Sequence, residues 1–198
     1  MADEGKLLWS GEHWIAYLRE HGKDTNSASI GIYHTRYSPA GEGSAALIDV
    51  PGTDGLQAII TDNRDVLAFT MERVRAAAPD DPFNNLDLPV LDGTLARGGD
   101  VRNDPYWTLD AGDLSIVVSW SGLIVPFLME GGAPNKKGTA VAFSVLMFAE
   151  QGAITVNGVR ASGDPYVRER WRRVTGPDGP ASSFCFALAE TYTTRPIG

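Results

Sequence analysis

The stretch that decides the predicted fold is "YWTLDAGDLSIVVSW", residues 106–120. Residues 110–113 have the composition of a tight turn, and the residues on both sides alternate between apolar and polar. Pairing of the two arms across this turn places the apolar side chains on one face: Trp107, Leu109, Leu114, Ile116, Val118 and Trp120. Ser115, Ser119 and Ser121 then lie on the other face. This pattern predicts a β-hairpin with one face in a protein core.

The same alternation extends in both directions from the hairpin. Residues 29–37, 44–50 and 56–60 are predicted to form three N-terminal strands. Residues 139–158, "TAVAFSVLMFAEQGAITVNG", are apolar on both faces, which is typical of a strand covered on both sides. The chain is therefore predicted to be mainly β.

Two segments resemble helices instead. The first is residues 11–21, "GEHWIAYLREH", which lie between Ser10, a favourable N-cap, and Gly22, a favourable C-cap. Trp14, Leu18 and His21 in this segment have helical spacing. A short helix is predicted here, with a strand as the alternative.

The second helix is predicted to begin after Asp62, which can act as its N-cap, with Asp65 in the first turn. Pro79 marks the end of the helical pattern, because proline interrupts helical hydrogen bonding. The residues facing the core share helical spacing and are Leu67, Met71 and Val74. This helix is expected to pack against the sheet.

The C-terminal region, residues 166–192, is predicted to be a hairpin around "GPDG" at residues 176–179. The register that best separates apolar from charged side chains pairs Trp171 with Phe184 and Val167 with Leu188. One face then carries Trp171, Phe184, Phe186 and Leu188 together with Glu169, Glu190 and Tyr192. The other face carries Arg168, Arg170 and Arg172, which are expected to be solvated.

About ten antiparallel strands predict a barrel, since closure removes exposed sheet edges. The predicted fold is mainly β, an antiparallel meander closing into a lipocalin-like barrel, with one or two short helices in the N-terminal half. One domain is expected to span residues 1–198.

One segment carries a family resemblance. Residues 152–171, "GAITVNGVRASGDPYVRERW", are similar in layout to the late strand pair of lipocalin-like proteins related to the carotenoid hydratases, in which a strand, an "NG" turn and a later arginine and tryptophan recur. The resemblance implies a calycin-type barrel that encloses an apolar ligand. Arg170 and Trp171 lie at the matching positions.

Composition restricts the expected partners and compartment. The net charge of -8 disfavours nucleic acid and anionic membranes, both of which attract clustered positive charge. Cys185 is the single cysteine, so no intrachain disulfide can form. The first residues, "MADEGKLLW", do not have the layout of a secretion signal, so a cytoplasmic location is predicted. A homodimer is possible.

The aromatic content indicates a binding function. Five tryptophans, seven phenylalanines and six tyrosines provide much ring surface for one domain, and a barrel can hold one small ligand. The leading hypothesis is therefore a cavity that binds a small apolar or aromatic molecule. The residues predicted to line it are Trp120, Trp171, Phe184, Phe186 and Glu169.

Two alternatives remain open. The first is a cofactor-independent isomerase, hydratase or cyclase, in which Glu190, Tyr192 or His34 transfers protons in a dry cavity. No metal or other cofactor is predicted, because the three histidines are early and unevenly spaced and Cys185 has no thiol partner. The second alternative is a structural or interaction protein without a cavity.

Overall fold

The computed structural model describes residues 6–74, 81–84, 86–132 and 140–194. Strands make up 56% of it and helical residues 10%. The strands are β1 (Leu7–Leu18), β2 (Ala28–Tyr37), β3 (Gly43–Val50), β4 (Leu56–Thr61), β5 (Val90–Asp92), β6 (Thr94–Gly98), β7 (Tyr106–Ala111), β8 (Leu114–Leu123), β9 (Phe127–Gly132), β10 (Ala140–Val156), β11 (Val159–Arg160) and β12 (Phe184–Thr194). The helices are α1 (Arg64–Phe69), which continues into a π-helical turn (Thr70–Val74), and α2 (Glu169–Thr175).

The strands form one mostly antiparallel sheet in the order β5-β4-β3-β2-β1-β12-β10-β8-β7-β6. The predicted hairpin is confirmed as β7 and β8, with Trp107 opposite Val118 and Leu109 opposite Ile116. Strand β10 is the long strand predicted from its apolar sequence. It pairs with β8 and β9 on one side and with β12 and β11 on the other.

The sheet nearly closes into a barrel through β5 and β6, which follow each other in the chain. Strand β5 pairs in parallel with β4 at one edge, and β6 pairs with β7 at the other edge. Between them, Gly93 donates its N–H to the Thr61 carbonyl at 3.0 Å. A Cβ at Gly93 would collide with the Asp110 carbonyl oxygen, so glycine permits this close approach. The predicted barrel-shaped fold is confirmed.

Two apolar layers share the barrel wall. The inner layer contains five large rings that are at most 1% exposed, Trp14, Trp107, Trp120, Phe184 and Phe186. Trp14 lies at their centre and contacts three of the other rings, with its centroid 3.9 Å from that of Phe186 and 5.0 Å from that of Trp120. The inner layer is thus an aromatic core within the barrel.

The outer layer covers the other face of the wall strands. Side chains from α1, the π-helical turn, the segment around Phe83 and helix α2 pack there against Tyr17, Tyr33, Leu47 and Phe148. Among the described residues, no helix has the length and apolar character needed to span a bilayer.

The helix predicted over residues 11–21 is wrong, because β1 extends from Leu7 to Leu18 and pairs with both β2 and β12. The alternative strand interpretation holds. Alternation places Trp14, Ala16 and Leu18 on the inner face and Ile15 and Tyr17 on the outer face. Burial on both faces produced an apolar sequence that also fits helical spacing.

The helix predicted after Asp62 is confirmed as α1, although its N-cap is Asn63 rather than Asp62. The Asn63 side chain accepts hydrogen bonds from the N–H groups of Asp65 and Val66. The predicted end at Pro79 lies outside the described residues.

The predicted C-terminal hairpin is wrong in two respects. Residues 169–175 form helix α2, so the second helix lies in the C-terminal half rather than the N-terminal half. Glu169 and Arg172 form an i,i+3 ion pair at 3.4 Å, and the chain leaves the helix at Gly176, which has a positive φ. Within this segment, Val167 bridges Ser182 rather than Leu188.

Candidate functional site

One group of polar side chains lies on the inner face of the barrel, and its two arginines extend from buried partners to solvent. We call it the mouth cluster, and it consists of Glu12, His34, Arg36, Ser44, Arg97 and Trp107. Glu12 pairs with His34 across β1 and β2, and His34 pairs with Ser44 across β2 and β3. Arg97 pairs with Trp107 across β6 and β7. Strand pairing aligns the residues of β1, β2 and β3 and, separately, those of β6 and β7, and the hydrogen bonds between Arg97 and Glu12 join the two sets.

Glu12 is the centre of the mouth cluster. The residue is 5% exposed, and its Oε2 accepts a hydrogen bond from Trp14 Nε1 at 3.0 Å. Arg97 Nη1 donates to both carboxylate oxygens at 2.8 Å. Arg36 Nη2 lies 3.7 Å from Oε1. A buried carboxylate needs such partners, because an unpaired charge in a protein interior is strongly destabilising.

The two guanidinium groups reach solvent although Glu12 does not. The side chain of Arg36 is 59% exposed and that of Arg97 is 31% exposed, compared with 7% for Glu12. Two positive charges therefore face one negative charge at a solvent-accessible end of the aromatic core. This arrangement leaves N–H groups that a dissolved molecule can reach.

His34 and Trp107 form the aromatic part of the mouth cluster. His34 Nδ1 lies 2.8 Å from Ser44 Oγ, and its ring centroid is 5.5 Å from that of Trp107. Burial lowers the pKa of His34 below its ordinary value, and the nearby charge of Arg36 lowers it further. Trp107 is 1% exposed, and its Nε1 has no hydrogen-bond partner within the described part of the chain.

A second polar group lies on the outer face of the wall. We call it the outer-wall cluster, and it consists of His13, Tyr33, Ser144, Glu190 and Tyr192. The Tyr192 hydroxyl donates to Glu190 Oε1 at 2.7 Å, and His13 Nδ1 lies 3.7 Å from Oε2. The His13 ring stacks on Tyr33, with centroids 4.2 Å apart. Glu190 Oε2 is buried and has no hydrogen-bond partner in the ranges that the structure describes.

Burial controls the protonation of the outer-wall cluster. Glu190 is 8% exposed, and desolvation raises its pKa above the ordinary value, although the nearby hydroxyls of Tyr192 and Ser144 partly oppose this rise. Burial and the adjacent Glu190 raise the pKa of Tyr192 well above its ordinary value. The carboxyl can therefore hold a proton at a higher pH than a solvated glutamate does.

The structure brings together only two of the three predicted catalytic residues. Glu190 and Tyr192 are in direct contact on the outer face, whereas His34 lies on the inner face. Their predicted location beside Phe184 and Phe186 is wrong. An extra residue in β12 near Leu188 shifts the register against both neighbouring strands and moves the following side chains to the opposite face.

The predicted ligand-binding residues separate into two places. Trp120, Phe184 and Phe186 lie in the aromatic core, and Trp120 Nε1 donates to the Ile15 carbonyl at 3.1 Å. Trp171 and Glu169 lie on α2 instead. Their roles in ligand binding remain predictions.

Helix α2 places Trp171 against the outer layer, where its ring contacts Phe148 edge to face at 5.6 Å. An open surface groove of about 500 Å³ lies beside α2 and is lined by Glu169, Arg172, Arg173 and Pro177. The arginines do not form a strand face. The guanidinium of Arg168 lies 4.7 Å from the Tyr17 ring centroid and that of Arg170 lies 5.6 Å from the Trp171 ring centroid.

Sequence reasoning missed Glu12, Arg36 and Arg97. The sequence did contain an indication of Glu12. Glu12 alternates in step with Trp14, Ala16 and Leu18, so interpretation of this segment as a strand would have placed it on the inner face. The helix prediction obscured it. No local pattern joins Glu12 to Arg97, because they meet only when the barrel closes.

The fold and the two clusters define this chain as a nearly closed, mainly antiparallel β-barrel with polar groups on both faces of its wall. No family model, curated protein or solved structure matches the chain. The resemblance to the carotenoid hydratases therefore has no support beyond the residues quoted above and stays a prediction. Of those, "VRERW" contributes to α2 rather than to a strand.

Proposed function

We propose that the barrel binds a small aromatic or apolar molecule at the mouth cluster, with the molecule seated against His34 and Trp107. The observation that carries this proposal is the pairing of buried Glu12 with two partly exposed arginines at a solvent-accessible end of an aromatic core. Small-molecule sites combine apolar rings with a few placed polar groups, and barrel mouths are common locations for them.

Energetics support a functional role for the mouth cluster. An apolar side chain at position 12 would pack in the barrel without the cost of burying a carboxylate, and replacement of buried ion pairs by apolar residues is often neutral or stabilising. Folding alone therefore does not require Glu12 and Arg97. Perturbed pKa values are common at functional sites, and His34 in this cluster has a lowered pKa.

Titration calorimetry with the neutral probe 2-naphthamide tests this proposal. Binding should occur in the wild-type protein, weaken in Trp107→Phe and remain unchanged in Trp171→Phe, which is the matched control on α2. Near-ultraviolet circular dichroism of both variants would establish that the aromatic core is intact. Binding that depends on Trp171 rather than Trp107 would contradict the proposal and indicate the groove beside α2.

A second candidate function is acid/base catalysis without a cofactor, of the isomerase, hydratase or cyclase type. It is favoured by the contact between Tyr192 and Glu190. Because Oε1 accepts from Tyr192, a proton on the carboxyl belongs on Oε2, the buried oxygen nearest to His13. His13, whose side chain is 23% exposed, can return that proton to solvent.

Deuterium exchange at the α-carbon of cyclohexanone in D₂O, followed by NMR, tests this second candidate. Wild-type protein should accelerate the exchange, and Glu190→Gln should abolish the acceleration while it retains the hydrogen bond from Tyr192. The matched control is Glu169→Gln on α2, which should exchange the ketone at the wild-type rate. A wild-type rate equal to that of buffer would count against catalysis of this kind.

A further inference from the structure

We infer that the mouth cluster recognises an anion, and that the molecule it binds carries a carboxylate beside its apolar part. This inference rests on the proposed function and specifies the chemical class of the ligand. Unused N–H donors, exposed guanidinium groups and a buried indole N–H without a partner in the described ranges support it.

Within the mouth cluster, the polar groups that Glu12 does not use are mostly N–H donors. Both oxygens of Glu12 accept from Arg97, and Oε2 also accepts from Trp14. Arg36 Nη2 lies 3.7 Å from Glu12 Oε1, beyond hydrogen-bond distance, and the Arg36 side chain is 59% exposed, so a dissolved molecule can reach its N–H groups. A guanidinium has five N–H donors and no acceptor. A ligand that offers acceptor oxygens would therefore satisfy this surface.

Trp107 provides an independent indication of an acceptor ligand. Its indole N–H is buried and unpartnered within the described ranges, although buried donors nearly always find an acceptor. The ring lies beside His34 and directly across the ladder from Arg97. An acceptor oxygen held by the arginines would lie on the same side of the barrel as this indole.

The charge balance favours a small anion over a large one. Arg36 and Arg97 together exceed the single charge of Glu12 by one. Asp62 lies outside the mouth cluster, where it accepts the Ser44 backbone N–H at 2.6 Å, and its negative charge offsets part of this surplus at His34. The whole chain has a net charge of -8, which repels polyanions, whereas a monoanion would interact mainly with the nearby guanidinium groups.

Calorimetry with two isosteric probes, 2-naphthoate and 2-naphthamide, tests the inference, because the probes differ only in the anionic group. Wild-type protein should bind 2-naphthoate at least about tenfold more tightly, as expected for hydrogen bonds to a charged group. Arg36→Gln should remove most of this preference, and Arg36→Lys should restore part of it. The matched control Arg172→Gln changes the net charge equally on α2 and should leave the preference intact.

Acetate completes the experiment, with arginine side-chain NMR signals as the readout. Equal affinity for the two naphthalene probes would overturn the anion inference and leave the proposed function standing. Acetate-induced shifts at Arg36, without binding of either naphthalene probe, would show anion recognition alone; they would overturn the proposed function and, with it, the apolar part of the inferred ligand. If none of the three probes binds, both fail.

Discussion

Arg97→Gln should destabilise the protein more than Glu12→Gln does, although the two residues form one ion pair. Loss of Arg97 leaves a carboxylate whose side chain is 7% exposed without its main partner. Breaking a buried pair in this way costs about 3–5 kcal/mol. Trp14 and the more exposed Arg36 still support Glu12, and an exposed ion pair contributes at most about 1 kcal/mol, so we expect a cost of about 3 kcal/mol.

Glu12→Gln leaves arginines rather than a carboxylate without a partner. The side chain of Arg97 is 31% exposed and that of Arg36 is 59% exposed, so water can solvate both. The glutamine carbonyl can still accept a hydrogen bond from Trp14. We expect a cost of about 1 kcal/mol, the typical net contribution of one hydrogen bond.

Urea unfolding and thermal melts of the two single variants and the double variant provide the assay. For a chain of this size, about 3 kcal/mol corresponds to a fall of roughly 6–12 °C in Tm. The double variant should be more stable than Arg97→Gln alone, because it removes the buried charge. A cost below about 0.5 kcal/mol for Arg97→Gln, the range of ordinary surface changes, would refute the reasoning.

Three further predictions concern protonation and packing. Glu190→Gln should leave the free energy of unfolding in urea unchanged at pH 4 and increase it at pH 7. Burial raises the pKa of Glu190, so the carboxylate form opposes folding once the pH exceeds the ordinary value of 4.5. Destabilisation by this substitution at pH 7 would contradict the prediction. The pKa of His34 is lowered in the folded state, so the unfolded state binds a proton at His34 more readily, and the free energy of unfolding should fall as the pH drops below 6.5. His34→Gln should reduce this pH dependence of stability. An unchanged pH profile in the variant would contradict the prediction. Gly152→Ala places a Cβ against the Phe184 ring and should cost about 1–3 kcal/mol in urea unfolding, whereas Gly52→Ala, in open space, should remain within about 0.5 kcal/mol; equal costs would show that the Phe184 ring yields.

Strands with one solvated face could be predicted from the sequence alone. Alternation in β7 and β8 reflects a wall that is apolar inside and polar outside, so Trp107 and Leu109 were placed correctly. Where both faces are buried, as in β1, alternation disappears. Helical spacing then arises by chance, and the helix predicted over residues 11–21 was the result.

The strand predicted for the arginine-rich segment before Gly176 was wrong for a different reason. Arginines at alternate positions suggested a strand, but glutamate and arginine are both good helix formers, and glutamate is disfavoured in strands. Intrinsic preference agrees with α2 as observed. The ion pair between Glu169 and Arg172 also fits helical spacing.

The candidate sites were only partly predictable. Glu190 and Tyr192 were predicted together and are in contact, because residues two apart on a strand share a face. Which face they occupy depends on the extra residue near Leu188, and alternation in the sequence does not reveal a bulge. The contact between Glu12 and Arg97 arises from barrel closure between residues 85 apart in the chain, which no local pattern encodes.

The most direct test of the binding site at the mouth is an NMR measurement of intermolecular nuclear Overhauser effects between 2-naphthoate and the protein. We expect effects from the naphthalene protons to the rings of Trp107 and His34, with simultaneous shifts of the Arg36 side-chain signals. Effects to Trp171 on α2, without any to Trp107 or His34, would contradict this expectation.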